Sequence, residues 1–364
     1  MKNNSSDGPD LGYRVAVGAG WLIALRWTDR LVALLSITVL ARLLSPADFG
    51  MMSYAILVVG IVELFTHLAP DLAVLRERNA DRNSFDAAYS INVLRGAFVA
   101  IAIAITAPLV STLYGLPDLL PVLLCIAFTS FLQGLENTGV LYFQKNLNFH
   151  YLFVLKFAPR LVATVATIIL AWLLATYWAL VIGVILHRLA MISLSYIMHP
   201  FRPRWNPSSA LQMLKFSGWL AVHNFIHGLA ERLPAIVLAR AANPASLAFF
   251  TTANELATLA STEIQAPART ALFPGLAKLS DDRSEVRNAI VNATALMVMF
   301  ALPIPIGVAL IAPKLIPLLL GDPWNPVVPM LQLLAVGGAL TALGSNGYFL
   351  LLIQNRPHSL VALS

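Results

Sequence analysis

Residues 87–110 read AAYSINVLRGAFVAIAIAITAPLV, and this stretch decides the fold class. It is long enough to cross a hydrocarbon layer as a helix, and Arg95 is its only charge. A strand would need neither this length nor this unbroken apolar character, and a water-facing helix would carry a polar stripe. Similar stretches recur on both sides. A window of about 19 residues finds them at 15–43, 51–70, 87–110, 118–142, 152–175, 178–198, 216–238, 247–268, 289–312 and 328–353. The sequence therefore predicts an all-α, polytopic transmembrane helix bundle. Its connectors are short, such as Ser45-Pro46-Ala47-Asp48-Phe49-Gly50 and Gly321-Asp322-Pro323-Trp324-Asn325-Pro326, so there is no room for an extramembrane domain.

Composition agrees. Of 364 residues 58% are hydrophobic and 12% charged, and the mean hydropathy is +0.75. That is too little charge to cover a soluble protein of this size. The net charge of +6 raises the question of nucleic acid, but the positions of the basic residues answer it. With the N-terminus cytoplasmic, only Arg42, Arg240 and Lys314 fall in loops on the opposite side, and Arg26, Arg30, Arg95 and Arg232 fall inside spans. The rest, including Lys156, Arg160 and Arg188, are assigned to cytoplasmic loops, as the positive-inside rule expects. No nucleic-acid partner is implied. Cys125 is alone, which excludes an internal disulfide and a thiolate metal cluster. The polar residues 1–14, followed by a span carrying Arg26, Asp29 and Arg30, do not form a cleavable signal.

The chain repeats itself. Val39-Leu40-Ala41-Arg42 before Ser45-Pro46-Ala47 returns as Val237-Leu238-Ala239-Arg240 before Asn243-Pro244-Ala245. Ala107-Pro108 with Gly115 returns as Ala312-Pro313 with Gly321. Two echoes in order predict a duplicated unit, with a six-helix lobe over 1–205 and a second lobe over 206–364 in the same orientation. By that logic the second lobe has about four spans and lacks two, so the expectation is a truncated chain or one that works with ten spans.

Charges inside spans mark the candidate chemistry, because a central charge facing lipid costs about 2.5–3.5 kcal/mol. Arg26, Asp29 and Arg30 share one flank of the first span; His223, His227 and Glu231 follow at steps of four on the seventh, beside Arg232; Glu255 and Glu263 share a face of the eighth. Glu63 has His67 four residues on. These groups predict a polar cavity, although Arg26 with Asp29, or Glu231 with a neighbouring arginine, also reads as an ion pair that fixes register. Arg95 and Glu136 are expected to snorkel to an interface, and Trp178, Tyr114 and Trp324 to sit in an interfacial belt. There is no Walker A loop, GxSxG, HExxH or dinucleotide fingerprint, and an enzyme is not expected.

The run from Val39 to Gly50 after a charged first span resembles the signature of bacterial polysaccharide biosynthesis proteins, the O-antigen and exopolysaccharide flippases. Glu63-Leu64-Phe65 through Leu75-Arg76-Glu77-Arg78 to Asp86-Ala87-Ala88 looks like their second span and first loop, particularly in the branch related to the colanic-acid exporter. These belong to the multidrug, oligosaccharidyl-lipid and polysaccharide (MOP) exporter superfamily. The resemblance implies two lobes around a cavity that opens alternately to each side of the bacterial inner membrane. The cargo it implies is an oligosaccharide on undecaprenyl pyrophosphate, moved to the periplasmic leaflet. A polysaccharide polymerase and a chain-length regulator are candidate partners besides the membrane lipids. No cofactor and no metal are implied. By position, Arg26, Arg30 and Arg232 would hold the pyrophosphate, and Asp29, Glu63, His223, His227, Glu231, Glu255 and Glu263 would line the cavity or couple transport to an ion. The alternatives are a peptidoglycan precursor or a drug as cargo, a non-transporting scaffold of a polysaccharide assembly complex, or a membrane glycosyltransferase acting on the lipid carrier.

Overall fold

The structure is a computed structural model that describes residues 8–66, 70–77, 81–207, 218–259, 299 and 302–353. The described residues form helices and connecting turns, with no strand among them. In chain order the helices are α1 (Gly8–Leu43), α2 (Pro46–Leu64), α3 (Pro70–Arg76), α4 (Arg82–Tyr114), α5 (Leu119–Gly134), α6 (Leu141–Lys145), α7 (Phe149–Leu174), α8 (Trp178–Met198) and α9 (Gly218–Ala241). A helical run over 244–259, α10 (Pro303–Leu320) and α11 (Val327–Ile353) follow. By contact the chain divides into one compact unit, Met1–Arg240, and another, Ala241–Ser364.

Five of these helices, α2, α4, α7, α8 and α10, are long and apolar enough to cross a membrane, and α5 with the bent segment after it makes a sixth. The chain is a multi-pass membrane protein. Along α4, Phe98, Ile101, Ile105 and Leu109 form an exposed stripe at helical spacing, which only lipid can cover at no cost. The charges at Arg26, Asp29 and Arg30 leave α1 outside that group of helices, although its 36 residues exceed the length a bilayer needs.

Local chemistry explains the boundaries. Ser45 caps α2 in a reciprocal box with Asp48, and Pro46 stands where its missing N–H is harmless. The other oxygen of Asp48 accepts from the Tyr177 N–H (3.0 Å) at the start of α8, so one carboxylate serves two helix ends. This is the physical content of the Ser45–Asp48 signature. Its echo behaves alike: Asn243 Oδ1 accepts from the Ser246 N–H (2.9 Å), with Pro244 opening the run 244–259. The second echo also matches locally, since Gly115 (φ 65°) and Gly321 (φ 93°) end helices that contain Pro108 and Pro313.

Within the first unit, α4 packs closely on α5, α7 on α8, and α1 on α7. Backbones meet at the α4–α5 crossing, where a side chain on Gly134 would lie 2.5 Å from the Asn92 carbonyl oxygen and one on Gly96 would lie 2.8 Å from that of Ser130. A small apolar core at one end joins Leu40 and Leu44 to Ala171 and Ala179; at the other end Val74, Phe85, Ala88 and Leu141 pack under Tyr142 and Phe201.

Four expectations are corrected. The span at 118–142 is two helices bent by 58°, because the chain breaks around Asn137. Lys156, Arg160 and Arg188 are the eighth and twelfth residues of α7 and the eleventh of α8, within helices rather than in loops. Lys314 is exposed within α10 rather than in a loop, and most of the first part of the span 289–312 lies outside the described residues; Pro303 stands at the first position of α10, where its missing N–H is harmless. Trp324 is fully buried edge-on against Phe249 rather than interfacial.

Candidate functional site

The α1–α7 seam is parallel. Gly18 lies under the Phe149 ring, Trp21 meets Phe153 at 5.4 Å, and Asp29 faces Arg160. This register follows from the sequence, since Phe149, Phe153 and Phe157 step by four along α7 and Arg160 comes next on the same face. The Asp29 Oδ1 to Arg160 Nε distance is 3.7 Å, and both side chains stay partly exposed, at 53% and 39%. Arg160 Nε is itself buried and has no hydrogen-bond partner among the described residues. Asp29 thus screens the guanidinium without occupying its Nε–H.

Beside Arg160, on α8, stand His187 and Arg188. His187 lies within electrostatic range of Arg160, Arg188 and Asp29, and its buried Nδ1 also has no hydrogen-bond partner among the described residues. Arg188 bridges to α5, donating to Glu136 Oε1 (3.4 Å) and Gln133 Oε1 (3.2 Å). Lys156 and Asp71 are further electrostatic neighbours of Glu136, and Asp71 accepts from Asn92 (3.2 Å) on α4. A polar system therefore links α1, α7, α8, α5, α3 and α4. Its cationic part, Arg160 and Arg188, comes from the adjacent pair α7–α8, with His187 beside them and Arg26 and Arg30 flanking Asp29 on α1. Such an arrangement suits an oxyanion: guanidinium groups pair with phosphate oxygens in two-pronged geometry, and the carboxylates can be displaced at small cost because their present contacts are long.

The remaining expected residues are distributed more widely. Arg26 and Arg30 are half-buried on α1 and engaged with neighbouring groups. Arg232 packs on α2, with its Nη1 donating to the Gly228 carbonyl (3.1 Å), so it belongs to a different seam. Glu231 faces His227 on its own helix at 3.7 Å, and both are exposed. Glu63 is half-buried near the end of α2, and Glu255 is exposed on the run 244–259. The side chains of His67 and His223, and Glu263, lie outside the described residues. Glu136, expected to snorkel, is instead paired with Arg188 inside the bundle. Among the described residues no cluster of His, Cys, Asp and Glu could hold a metal ion. Arg160 and Arg188 escaped the sequence reading because counting charges by side sent them to loops, and His187, which carries no formal charge, was not counted at all. The signal that finds them is the unbroken apolar run on both sides of each.

The break between α5 and α6 anchors this framework. Asn137 is fully buried, and its Nδ2 donates to the carbonyls of Phe201 (2.8 Å), Ser195 (3.3 Å) and His199 (3.3 Å), while its Oδ1 accepts from the Gly139 N–H (2.9 Å). The extended segment it holds then runs along α4. Arg82 donates to the Arg202 carbonyl (3.1 Å), Asp86 accepts from the Arg204 N–H (2.8 Å), and Ser90 accepts from the Asn206 N–H (2.7 Å). Every second residue of an extended chain thus meets every fourth residue of a helix, about 6.6 Å against about 6.0 Å, which is why the two stay in step.

Residues 39–329 match a family described as polysaccharide biosynthesis protein. The lipopolysaccharide biosynthesis protein WzxC of Escherichia coli strain K12 is 23% identical over 335 residues, covering 89% of this chain and 67% of that protein. The succinoglycan biosynthesis transport protein ExoT of Rhizobium meliloti strain 1021 is 21% identical over 330 residues, covering 90% and 67%. This chain thus spans about two thirds of the length of either. The teichuronic acid biosynthesis protein TuaB of Bacillus subtilis strain 168 is 18% identical over 354 residues, covering 96% and 73%. In fold the chain is similar to a multidrug resistance MATE family transporter of the MOP superfamily in its inward-facing conformation, with a TM-score of 0.58, 13% identity, and 89% of this chain and 83% of that one covered.

Proposed function

We propose, from the premise that this chain belongs to the polysaccharide biosynthesis protein family, that it is a flippase. Its cargo is an oligosaccharide repeat unit on undecaprenyl pyrophosphate, carried from the cytoplasmic to the periplasmic leaflet of the bacterial inner membrane by alternating access. The names of WzxC and ExoT, a lipopolysaccharide biosynthesis protein and a succinoglycan transport protein, support the cargo class. The N-terminus is cytoplasmic in this reading, and the chain makes and breaks no covalent bond.

The observation that carries the mechanism is the loosely screened cationic cluster. Arg160 Nε is buried and unpartnered among the described residues, beside Arg188 and His187. A dianionic pyrophosphate is the group such a cluster suits. Arg160 and Arg188, assisted by Arg26 and Arg30, grip the phosphates, while Asp29 and Glu136 hold the guanidinium groups in place when no cargo is bound. Phosphate replaces carboxylate as the partner of each guanidinium, so no arginine is left without an anionic partner whether the site is loaded or empty. Arg232 acts from the α2–α9 seam, and Glu63, His227, Glu231, Glu255 and Glu263 are candidates for sugar hydrogen bonds or ion coupling. Rocking of two lobes, 1–205 against 206–364, carries the site from one side to the other.

The test is rescue of a bacterium lacking its own exopolysaccharide flippase, using the complete coding sequence and its Arg160→Ala, Arg188→Ala, Arg26→Ala and Arg30→Ala variants at matched membrane levels. The proposal expects rescue by the parent and loss with the Arg160 and Arg188 variants. Rescue that survives all four changes would remove the site, and failure of the parent would favour a scaffold role.

A further inference from the structure

Helices α2 and α9 meet along an antiparallel seam. Tyr54 Oη donates to the Ala239 carbonyl (2.8 Å), the Arg232 guanidinium lies on Gly60, Leu64 enters the notch at Gly228, and the Phe65 and Phe225 rings meet at 4.9 Å. Numbers rise on one helix as they fall on the other, and the seam covers about 16 Å, half the hydrocarbon thickness.

Its centre is a reciprocal exchange. Gly60 and Leu64 are four apart on α2, and Gly228 and Arg232 are four apart on α9. Each helix offers one notch and one knob. A side chain on Gly60 would lie 2.6 Å from Arg232 Nε, 3.0 Å from Nη2 and 3.2 Å from Cζ, so the guanidinium is laid against bare α2 backbone. The Leu64 knob is apolar and fixes register. The Arg232 knob differs: it is cationic, half-buried, and bonded through Nη1 to the carbonyl of Gly228 on its own helix. That carbonyl lies inside a helix and is served by the helix ladder, so this bond is readily exchanged for one to an anion, which binds a guanidinium about twice as strongly.

The geometry points to Arg232 as the latch of this seam, released when a phosphate oxygen of the cargo draws its guanidinium off Gly60. The inference rests on the flippase reading, which supplies the pyrophosphate. α2 and α9 belong to the two different sequence halves, so a rocking mechanism requires this seam to part and re-form. A ligand can drive that change only through an interaction that differs between the two states. Arg232 provides one, because its guanidinium holds the seam shut when it lies on Gly60 and can serve the anion only when it leaves. Glycine at 60 is the condition for the closed state, and glycine at 228 lets Leu64 restore the register afterwards.

The experiment places a cross-linkable pair at the seam, Phe65→Cys with Phe225→Cys, in a Cys125→Ser background, and measures disulfide yield in purified protein. Undecaprenyl pyrophosphate is the probe, with undecaprenyl monophosphate and inorganic pyrophosphate as separate arms, and binding of each is followed independently by the shift in melting temperature. The latch predicts that undecaprenyl pyrophosphate lowers the yield by roughly threefold or more. It predicts that Arg232→Met lowers the yield without any ligand and no longer responds to one, that Arg232→Lys responds weakly, and that Gly60→Ala likewise lowers the yield without any ligand. A response to inorganic pyrophosphate alone would assign the trigger to the headgroup; a response only to the lipid-linked form would assign it to headgroup and tail together, and both support the latch. Binding with unchanged cross-linking, or an Arg232→Met variant that responds like the parent, would overturn the latch and leave the flippase reading standing. No binding of any arm would overturn both.

Discussion

Asn137→Asp should destabilise the protein more than Asn137→Ala, although aspartate is the closer match in shape. The Asn137 amide nitrogen faces three carbonyl oxygens, at 2.8, 3.3 and 3.3 Å, and its oxygen faces the Gly139 N–H at 2.9 Å. Alanine removes two good hydrogen bonds and two long ones, and leaves the buried N–H of Gly139 and the carbonyl of Phe201 without their partner. At about 1 kcal/mol for each good bond, and up to about 1 kcal/mol more for each stranded group, the loss is about 2–4 kcal/mol. Aspartate keeps the bond from Gly139 but directs an acceptor-only oxygen at three carbonyls in a fully buried site, so it costs more than alanine or titrates to its neutral acid. The assay is the melting temperature of the detergent-purified protein, with Asn137→Asp also measured at low pH. Protonation restores a donor, so acid should narrow the gap between aspartate and the parent. An aspartate variant as stable as the parent at neutral pH would refute the orientation of the amide and the anchoring role with it.

Other expectations follow from the same geometry. Asp48→Ala removes the capping box of α2 and the acceptor for Tyr177 N–H together, and should lower stability by about 1–2 kcal/mol for each helix end served, measured by denaturant titration. Gly134→Ala forces a methyl against the Asn92 carbonyl and should cost about 1–3 kcal/mol in the same titration; an unchanged midpoint would mean that the α4–α5 crossing is wider than described. Burial first, and then the nearby Arg202, hold the His199 imidazole below its ordinary pKa, and its Nδ1 accepts from the Phe201 N–H (3.2 Å). The fold therefore favours neutral His199. Its contribution is complete above the ordinary histidine value near 6.5 and is lost as pH falls below it. Melting temperature from about pH 7.5 to about pH 5 should fall less steeply in His199→Gln than in the parent.

Much of the fold is legible in the sequence, because lipid as solvent turns hydropathy into topology. The span 178–198 coincides with α8, and 328–353 differs from α11 by one residue. The break inside 118–142 is not legible in this way. Asn137 interrupts an apolar run at no visible cost only because carbonyls some sixty residues later satisfy its amide, and no local pattern records that partnership. The site divides along the same line. Asp29 is recognisable as a charge that needs a partner, but Arg160, on α7, reads by charge and side as a loop residue. Arg188 and Glu136, read separately, go to a loop and to an interface; read together, they are one pair inside the bundle. Charge-by-side counting treats each cation as solvated, and it fails for cations whose partners arrive from another helix.

The most direct test of the central claim is translocation itself. The purified protein is reconstituted into vesicles carrying undecaprenyl-pyrophosphate-linked oligosaccharide in one leaflet, and its appearance in the other leaflet is followed with a membrane-impermeant hydrolase. The account predicts movement with the parent protein and little above protein-free vesicles with Arg160→Ala or Arg188→Ala, while undecaprenyl monophosphate carrying the same sugar moves poorly. Movement at the parent rate in both arginine variants, or equal movement of the monophosphate form, would contradict it.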